Sequence, residues 1–158
     1  MRRAPPALPW KADPARAELL ALYKEVDALL APYSCPASGE CCHFARTGRE
    51  PYPHAVELAE VVHAARAASI RPEKTKLPIA GARPCPLLAE NGRCRIYASR
   101  PLGCRTYFCE RIEGPGKLPR DAIQSVGRRI ADLSARVFPR DPGPRPLAKA
   151  VTLAGRTS

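Results

Sequence analysis

Aromatic residues are scarce in this 158-residue chain, at 6% of the total, and tryptophan and methionine occur once each. Much of the 45% hydrophobic content is alanine. One domain is the expectation at this length, with a core that is thin for its size. No apolar run approaches the roughly 20 residues a membrane-spanning helix needs, so no membrane role is expected. The opening MRRAPPALPW has a basic tip but no apolar stretch behind it, which argues against a secretory signal. The chain therefore reads as soluble and cytoplasmic. Internal repeats are absent. So are the C-x2-C knuckles of ordinary zinc fingers, any glycine-rich nucleotide loop, and the CxxxCxxC triad of radical chemistry. No catalytic motif is identified, and the reading leans away from an enzyme.

What is present is cysteine. In a reducing compartment disulfides are rare, so clustered thiols point to metal binding or redox chemistry. The count of seven is odd, and Cys41 and Cys42 are adjacent, which suits a disulfide framework poorly. Four thiols, Cys85, Cys94, Cys104 and Cys109, are spaced C-x8-C-x9-C-x4-C. Tyr97, Tyr107, Phe108, Arg95, Arg100 and Arg105 lie between them. Cys35, Cys41 and Cys42 lie about forty residues upstream and are expected to fold back onto this stretch. A bound metal would add the stability that thin burial lacks.

The 19 prolines mark long irregular connections. Residues 1–12 read as a flexible, extended segment, with Trp10 either docked on the domain or marking a partner contact. Asp13-Pro14 has the form of an N-cap followed by proline at the first helical position. Leu19, Leu22, Tyr23, Val26, Leu29 and Leu30 then recur at helical spacing up to Pro32. YSCPASGECCHF presents thiols on turns, and ARTGREPYPH reads as loop. AVELAEVVHAARAA is a short amphipathic element marked by Val56, Ala59, Glu60 and His63. RPEKTKLPIAGARP is a charged loop, and short extended pairing is allowed near Gly92–Ile96. ERIEGPGKLP reads as a flexible connector. Ile123, Val126, Ile130, Leu133 and Val137 define the clearest amphipathic helix, with Asp121 as its expected N-cap, and it is expected to pack on the cysteine cluster. Residues 139–158 read as a weakly ordered Pro/Arg-rich tail. The fold expected is a mainly α, small, irregular, metal-stabilised domain over 13–138, with helices and long loops around the cysteines and little or no β.

The net charge is +11. Residues 1–42 balance, 43–114 carry 12 basic against 7 acidic residues, and 115–158 carry 9 against 3. Such a surplus can serve nucleic acid, but no basic stripe interleaved with aromatics is present to stack bases. The favoured account is that arginines offset thiolate charge in the middle segment and are solvated at the end.

Two blocks carry a family resemblance. Residues 35–42 read C-x-x-S-G-x-C-C, and residues 85–109 read CPLL, then CRIYASRP, then CRTYFC. Together they resemble the YkgJ-type cysteine-cluster family, the zinc- or iron-chelating domain known by its CxxCxxCC motif. Cys85-Pro86-Leu87-Leu88, Cys94-Arg95-Ile96-Tyr97, Arg100-Pro101 and Cys104-Arg105 match its second block. One departure is Ser38, which stands where the motif has its second cysteine. Seven thiols cannot fill two four-cysteine sites unless another residue, with His43 the candidate, joins; His54 and His63 are weaker candidates. The resemblance implies chelation of zinc or of an iron–sulfur cluster, and 4Fe-4S is the favoured form because wide spacing and an adjacent pair suit a multi-iron centre. The ligand set it implies is Cys42, Cys85, Cys94 and Cys104, with Cys41, Cys35 and Cys109 as surrounding or alternate ligands. Arg100 and Arg105 would neutralise thiolate charge, and Ile96 and Tyr97 would wall the site from water. The functional expectation is an iron–sulfur protein in a redox or accessory role. The alternative is a structural-zinc adaptor that binds protein or nucleic acid. A third reading makes Cys35 and Cys109 exchangeable thiols for redox or metal delivery.

Overall fold

Asp13 starts the first helix as its residue type suggests: its carboxylate accepts the Ala15 N–H at 2.8 Å, and Pro14 occupies the first helical position. The computed structural model describes residues 10–35, 39–70, 84–107 and 113–154. In chain order the helices among them are α1 (Pro14–Leu30), α2 (Phe44–Thr47), α3 (Ala55–Ala67), α4 (Leu102–Arg105), α5 (Arg120–Val137) and α6 (Leu147–Ala154). Three 3-10 turns, Trp10–Ala12, Glu40–Cys42 and Tyr97–Ser99, join them. The described residues hold no sheet; their extended pairing consists of two isolated antiparallel bridges, Ser34 with Glu113 and Leu88 with Cys94. The fold is mainly α with little β, as the sequence suggested.

Two cores share α3. The first joins Leu19, Leu22, Tyr23, Val26 and Leu30 of α1 to Val126, Ile130 and Leu133 of α5, with Val56 of α3 and Trp10 beside them. The second joins Leu58, Val61 and Ala65 of α3 to Cys85, Leu87 and Ile96, and to Leu147 and Val151 of α6. This explains why α3 buries more than the single stripe expected of it. Ala55, Val56, Glu57, Leu58, Glu60, Val61 and Ala65 are all buried, because the helix faces apolar neighbours on two sides.

Several expectations change. The amphipathic face of α5 packs on α1 rather than on the cysteines. Its N-cap is Pro119, and Asp121 lies in the first turn, where a carboxylate is favoured by the helix dipole. ARTGREPYPH begins inside the short helix α2, which starts at Phe44. Trp10 docks on the fold at 6% exposure, its indole N–H donating to Glu60 at 2.8 Å. In the part of 139–158 read as a weakly ordered tail, Leu147–Ala154 is a helix with Leu147 and Val151 buried. Residues 1–9, 71–83 and 155–158 lie outside the described residues.

Two carboxylates on successive turns of α3 are buried, and both are hydrogen-bonded. Glu57 accepts from the Tyr23 hydroxyl at 3.1 Å, the Leu102 N–H at 2.7 Å and the His54 N–H at 2.9 Å. Burial pushes its carboxyl above the usual range, against the pull of these donors. Glu60 accepts from Trp10, from the Arg16 guanidinium at 2.7 and 3.2 Å, and from the Ser99 hydroxyl at 2.8 Å. Burial also works against its ionised form, but Arg16, Trp10 and Ser99 outweigh it and hold the carboxyl below the ordinary range. These bonds join α1, α3, α4 and the Tyr97–Ser99 turn.

Because Glu60 has a lowered pKa in the fold, its contribution is complete above the unfolded-state pKa of about 4.3 and is lost as pH falls through the folded value. Glu60→Gln is expected to cost roughly 3 kcal/mol at pH 7, measured by urea unfolding. The difference from the parent chain should shrink below about pH 4.3; a difference that stays constant into acid would exclude the ionised carboxylate as its source.

Candidate metal centre

Glycine permits the first thiol turn to form. Gly39 has φ +74°, a left-handed conformation, and a Cβ built on it would lie 2.6 Å from the Gly92 carbonyl oxygen. With hydrogen there instead, the Glu40–Cys42 turn can approach the 89–93 turn. The turn closes through Cys42 N–H to Gly39 O at 3.0 Å and His43 N–H to Glu40 O at 2.9 Å. The second thiol segment is tied to it directly, since the Cys85 N–H donates to the Cys42 carbonyl at 2.7 Å.

After Cys85 the chain forms a short hairpin. Ala89 N–H donates to Arg93 O at 2.8 Å and Arg95 N–H to Leu87 O at 2.9 Å, and Leu88 bridges Cys94. Leu87 and Ile96, 2% and 5% exposed, anchor its two arms in the second core. The Leu102 N–H at the start of α4 is held by buried Glu57, which places Cys104 two residues later. Three segments, the Glu40–Cys42 turn, the hairpin and α4, thus deliver their thiols to one core. Cys85 is buried there, and Cys42, Cys94 and Cys104 are half-buried against it.

The ionisation of the thiols records how close they are. The adjacent Cys42 thiol lowers Cys41 to about 6, with help from the Arg100 charge and against its burial. Cys42 is driven up by Cys41 in turn, and burial and the sulfurs of Cys85 and Cys94 add to this. Burial pushes Cys85 up to about 11, and the neighbouring Cys94, Glu50 and Cys41 push in the same direction. Burial likewise raises Cys94 and Cys104, while Arg100 pulls both back. Burial disfavours the charged thiolate, and each neighbouring sulfur disfavours it further.

Of the seven sequence candidates, Cys41, Cys42, Cys85, Cys94 and Cys104 act on one another in this way. Cys35 is exposed beside the Ser34 bridge. Cys109, Phe108 and Ser38 lie outside the described residues. His43 acts through its backbone, its carbonyl accepting from Arg46 and Thr47 at the start of α2. His54 precedes α3, and His63 lines an open cavity of about 400 Å³ in which Arg16 and Glu60 already pair with each other.

The two arginines proposed to face the thiols have different roles. Arg100 does face them, its charge lowering three of them, with its guanidinium stacked 3.5 Å from the Tyr97 ring centre. Arg105 turns the other way. It is buried, donates to Asp27 at 2.7 and 2.8 Å and to the Arg100 and Ala98 carbonyls, and lies 4.2 Å from the Tyr23 ring centre. It ties α4 to α1 instead of neutralising thiolates. Tyr97 is 58% exposed and walls nothing, whereas Ile96 is buried as expected.

Glu57 and Glu50 escaped the sequence reading, although Glu57 left a signal as a glutamate inside an apolar helical run; Gly39 sits in the tight thiol turn that the sequence suggested. Among the described residues, no three His, Cys, Asp or Glu side chains form a group spaced to hold an ion. The chemistry of the donors is nonetheless that of a soft or borderline cation: five thiols, apolar walls and one compensating guanidinium. On donor type the residues fit zinc or iron.

Comparison with known families agrees. The chain belongs to the CxxCxxCC family, described as "Putative zinc- or iron-chelating domain", whose model matches residues 34–121, more than half its length. It is thus a member of a metal-chelating domain family. No match was found among curated proteins or solved structures. No helix among the described residues is long and apolar enough to cross a membrane.

Gly39 and Gly48 separate the effect of close approach from that of backbone conformation. Both have positive φ, at +74° and +64°, but nothing lies within 4 Å of a Cβ at Gly48. Gly48→Ala should cost about 1 kcal/mol in thermal unfolding. Gly39→Ala adds a clash with a backbone carbonyl and should cost roughly 2–3 kcal/mol together with bound metal. Equal costs and equal metal content would show that the two thiol turns need not touch.

Proposed function

We propose that this chain holds an iron–sulfur cluster, of the 4Fe-4S type, on Cys42, Cys85, Cys94 and Cys104, and that it serves a redox or accessory role. The observation that carries this reading is the delivery of these thiols from the Glu40–Cys42 turn, the hairpin and α4 to one apolar core. When bound, the cluster would supply one-electron chemistry. The protein's contribution is to hold the sulfurs against apolar neighbours, Ile96 and Leu87, and to offset their charge with Arg100. Cys41, next to Cys42 in the Glu40–Cys42 turn, is the fifth thiol, and a multi-metal centre accommodates such an adjacent pair with less strain than one tetrahedral ion.

A structural-zinc reading rests on the burial of Cys85, because structural zinc sites are closed and all-ligand. In that case the basic surface would serve a protein or nucleic-acid partner. Anaerobic purification followed by metal analysis and optical and EPR spectroscopy separates the two. Iron with matching sulfide and a brown, air-sensitive spectrum is expected. Colourless protein with one zinc per chain would replace iron with zinc, and folded protein free of both metals would overturn chelation. Alanine at Cys85, Cys94 or Cys104 should abolish stoichiometric loading, and alanine at Cys35 should leave it intact.

The thiols also set a pH dependence. Cys42, Cys85, Cys94 and Cys104 all have raised pKa values, so each must release a proton to bind as thiolate. Each unit of pH rise removes about a tenfold penalty per such thiol. Apparent zinc affinity in a competition titration should therefore rise between pH 6 and 8 with a slope of about 3–4 decades per unit. A flat profile would mean that these thiols are not the ligands.

A further inference from the structure

The C-terminal strap lies outside the segment that matches the family, which ends at residue 121, yet it completes the thiol core. Leu147 and Val151, one helical turn apart on α6, are 1% and 8% exposed and belong to the same apolar cluster as Cys85, Leu87 and Ile96; Ala150 packs against it. Cys85 itself is 5% exposed.

The strap is held mainly by backbone bonds to the segment that leads from the Cys41-Cys42 turn into α3. Pro142 O accepts from the Ala55 N–H at 2.8 Å and from the Ser134 hydroxyl at 2.7 Å. Arg145 and Leu147 N–H donate to the Pro53 and Pro51 carbonyls, each at 3.1 Å. Glu50 accepts the Ala148 N–H at 2.8 Å at the start of α6, and the same carboxylate is near enough to raise Cys85. Gly143, at φ +91°, passes so close to α3 that a Cβ would lie 3.1 Å from the Ala55 nitrogen and the His54 Cα.

None of the bonds of Glu57, Glu60 or Arg105 that unite α1, α3 and α4 involves the strap. With Pro142 staying anchored to Ala55 and Ser134, opening of residues 144–151 would break the bonds to Pro51, Pro53 and Glu50 and leave those links untouched. Local opening of this kind is the ordinary behaviour of a peripheral element held by a few bonds and a small apolar face.

We propose that residues 142–151 form a closing strap over the thiol core, and that its local opening sets how readily metal ions and reagents in solution reach Cys85. The inference concerns access to sulfur and stands whichever metal is chelated.

The test is alkylation of the full-length chain, as purified without air, by iodoacetamide, with each cysteine followed by mass spectrometry. Leu147→Ala/Val151→Ala should speed labelling of Cys85 by about tenfold or more, while Trp10 fluorescence keeps its buried position. Val151→Ala alone, a milder change, should give about threefold. Unchanged Cys85 labelling in both variants would overturn the proposal. So would labelling that rises only together with exposure of Trp10, because the helix would then belong to the global fold and not act as a cover. Metal content, measured on the same samples, reports separately on chelation.

Discussion

The carboxylates of Glu57 and Glu60 are 2% and 1% exposed, and an ionised group so placed must be met by donors or it destabilises the fold. The donors come from everywhere that matters: the Tyr23 hydroxyl and Arg16 from α1, the Trp10 indole from the N-terminal turn, the Leu102 amide from α4 and the Ser99 hydroxyl from the turn before it. Satisfying two side chains therefore fixes the relative placement of the α1–α5 core and the thiol-bearing segments. Arg105 adds a second link between α4 and α1 through Asp27 and the face of Tyr23. The ion pairs on the outside of α1 and α5, Glu25 with Arg129 and Glu18 with Arg136, are about half exposed and add little.

Within this frame the thiols are under electrostatic tension. Apolar burial and mutual repulsion raise Cys42, Cys85, Cys94 and Cys104, and Arg100 provides partial relief. Thiols raised in this way must give up their protons for a thiophilic cation to bind. The same burial that opposes thiolate formation in the metal-free chain would keep water from a bound centre.

Much of this was legible in the sequence. Asp13-Pro14 and the spacing of Leu19, Leu22, Tyr23 and Val26 specify α1, and the motif blocks around Cys85, Cys94 and Cys104 identify the family. The rest depended on tertiary contacts that local pattern does not encode. Arg105 sits next to Cys104 in sequence, but its fork matches the Asp27 carboxylate and the Tyr23 ring, so it points away from the sulfurs. Tyr97 lies in the motif yet is exposed, because the hairpin turns Ile96 inward. Prolines at 142, 144 and 146 suggested a loose tail; they lead into α6, whose Leu147 and Val151 find apolar partners only in the folded chain.

Ligation of the metal by sulfur from this core is decided by X-ray absorption at the edge of whichever metal co-purifies without air. A first shell dominated by sulfur at about 2.3 Å is expected, lost when Cys85 and Cys104 are replaced. A first shell of nitrogen and oxygen, or one unchanged by those substitutions, would contradict it.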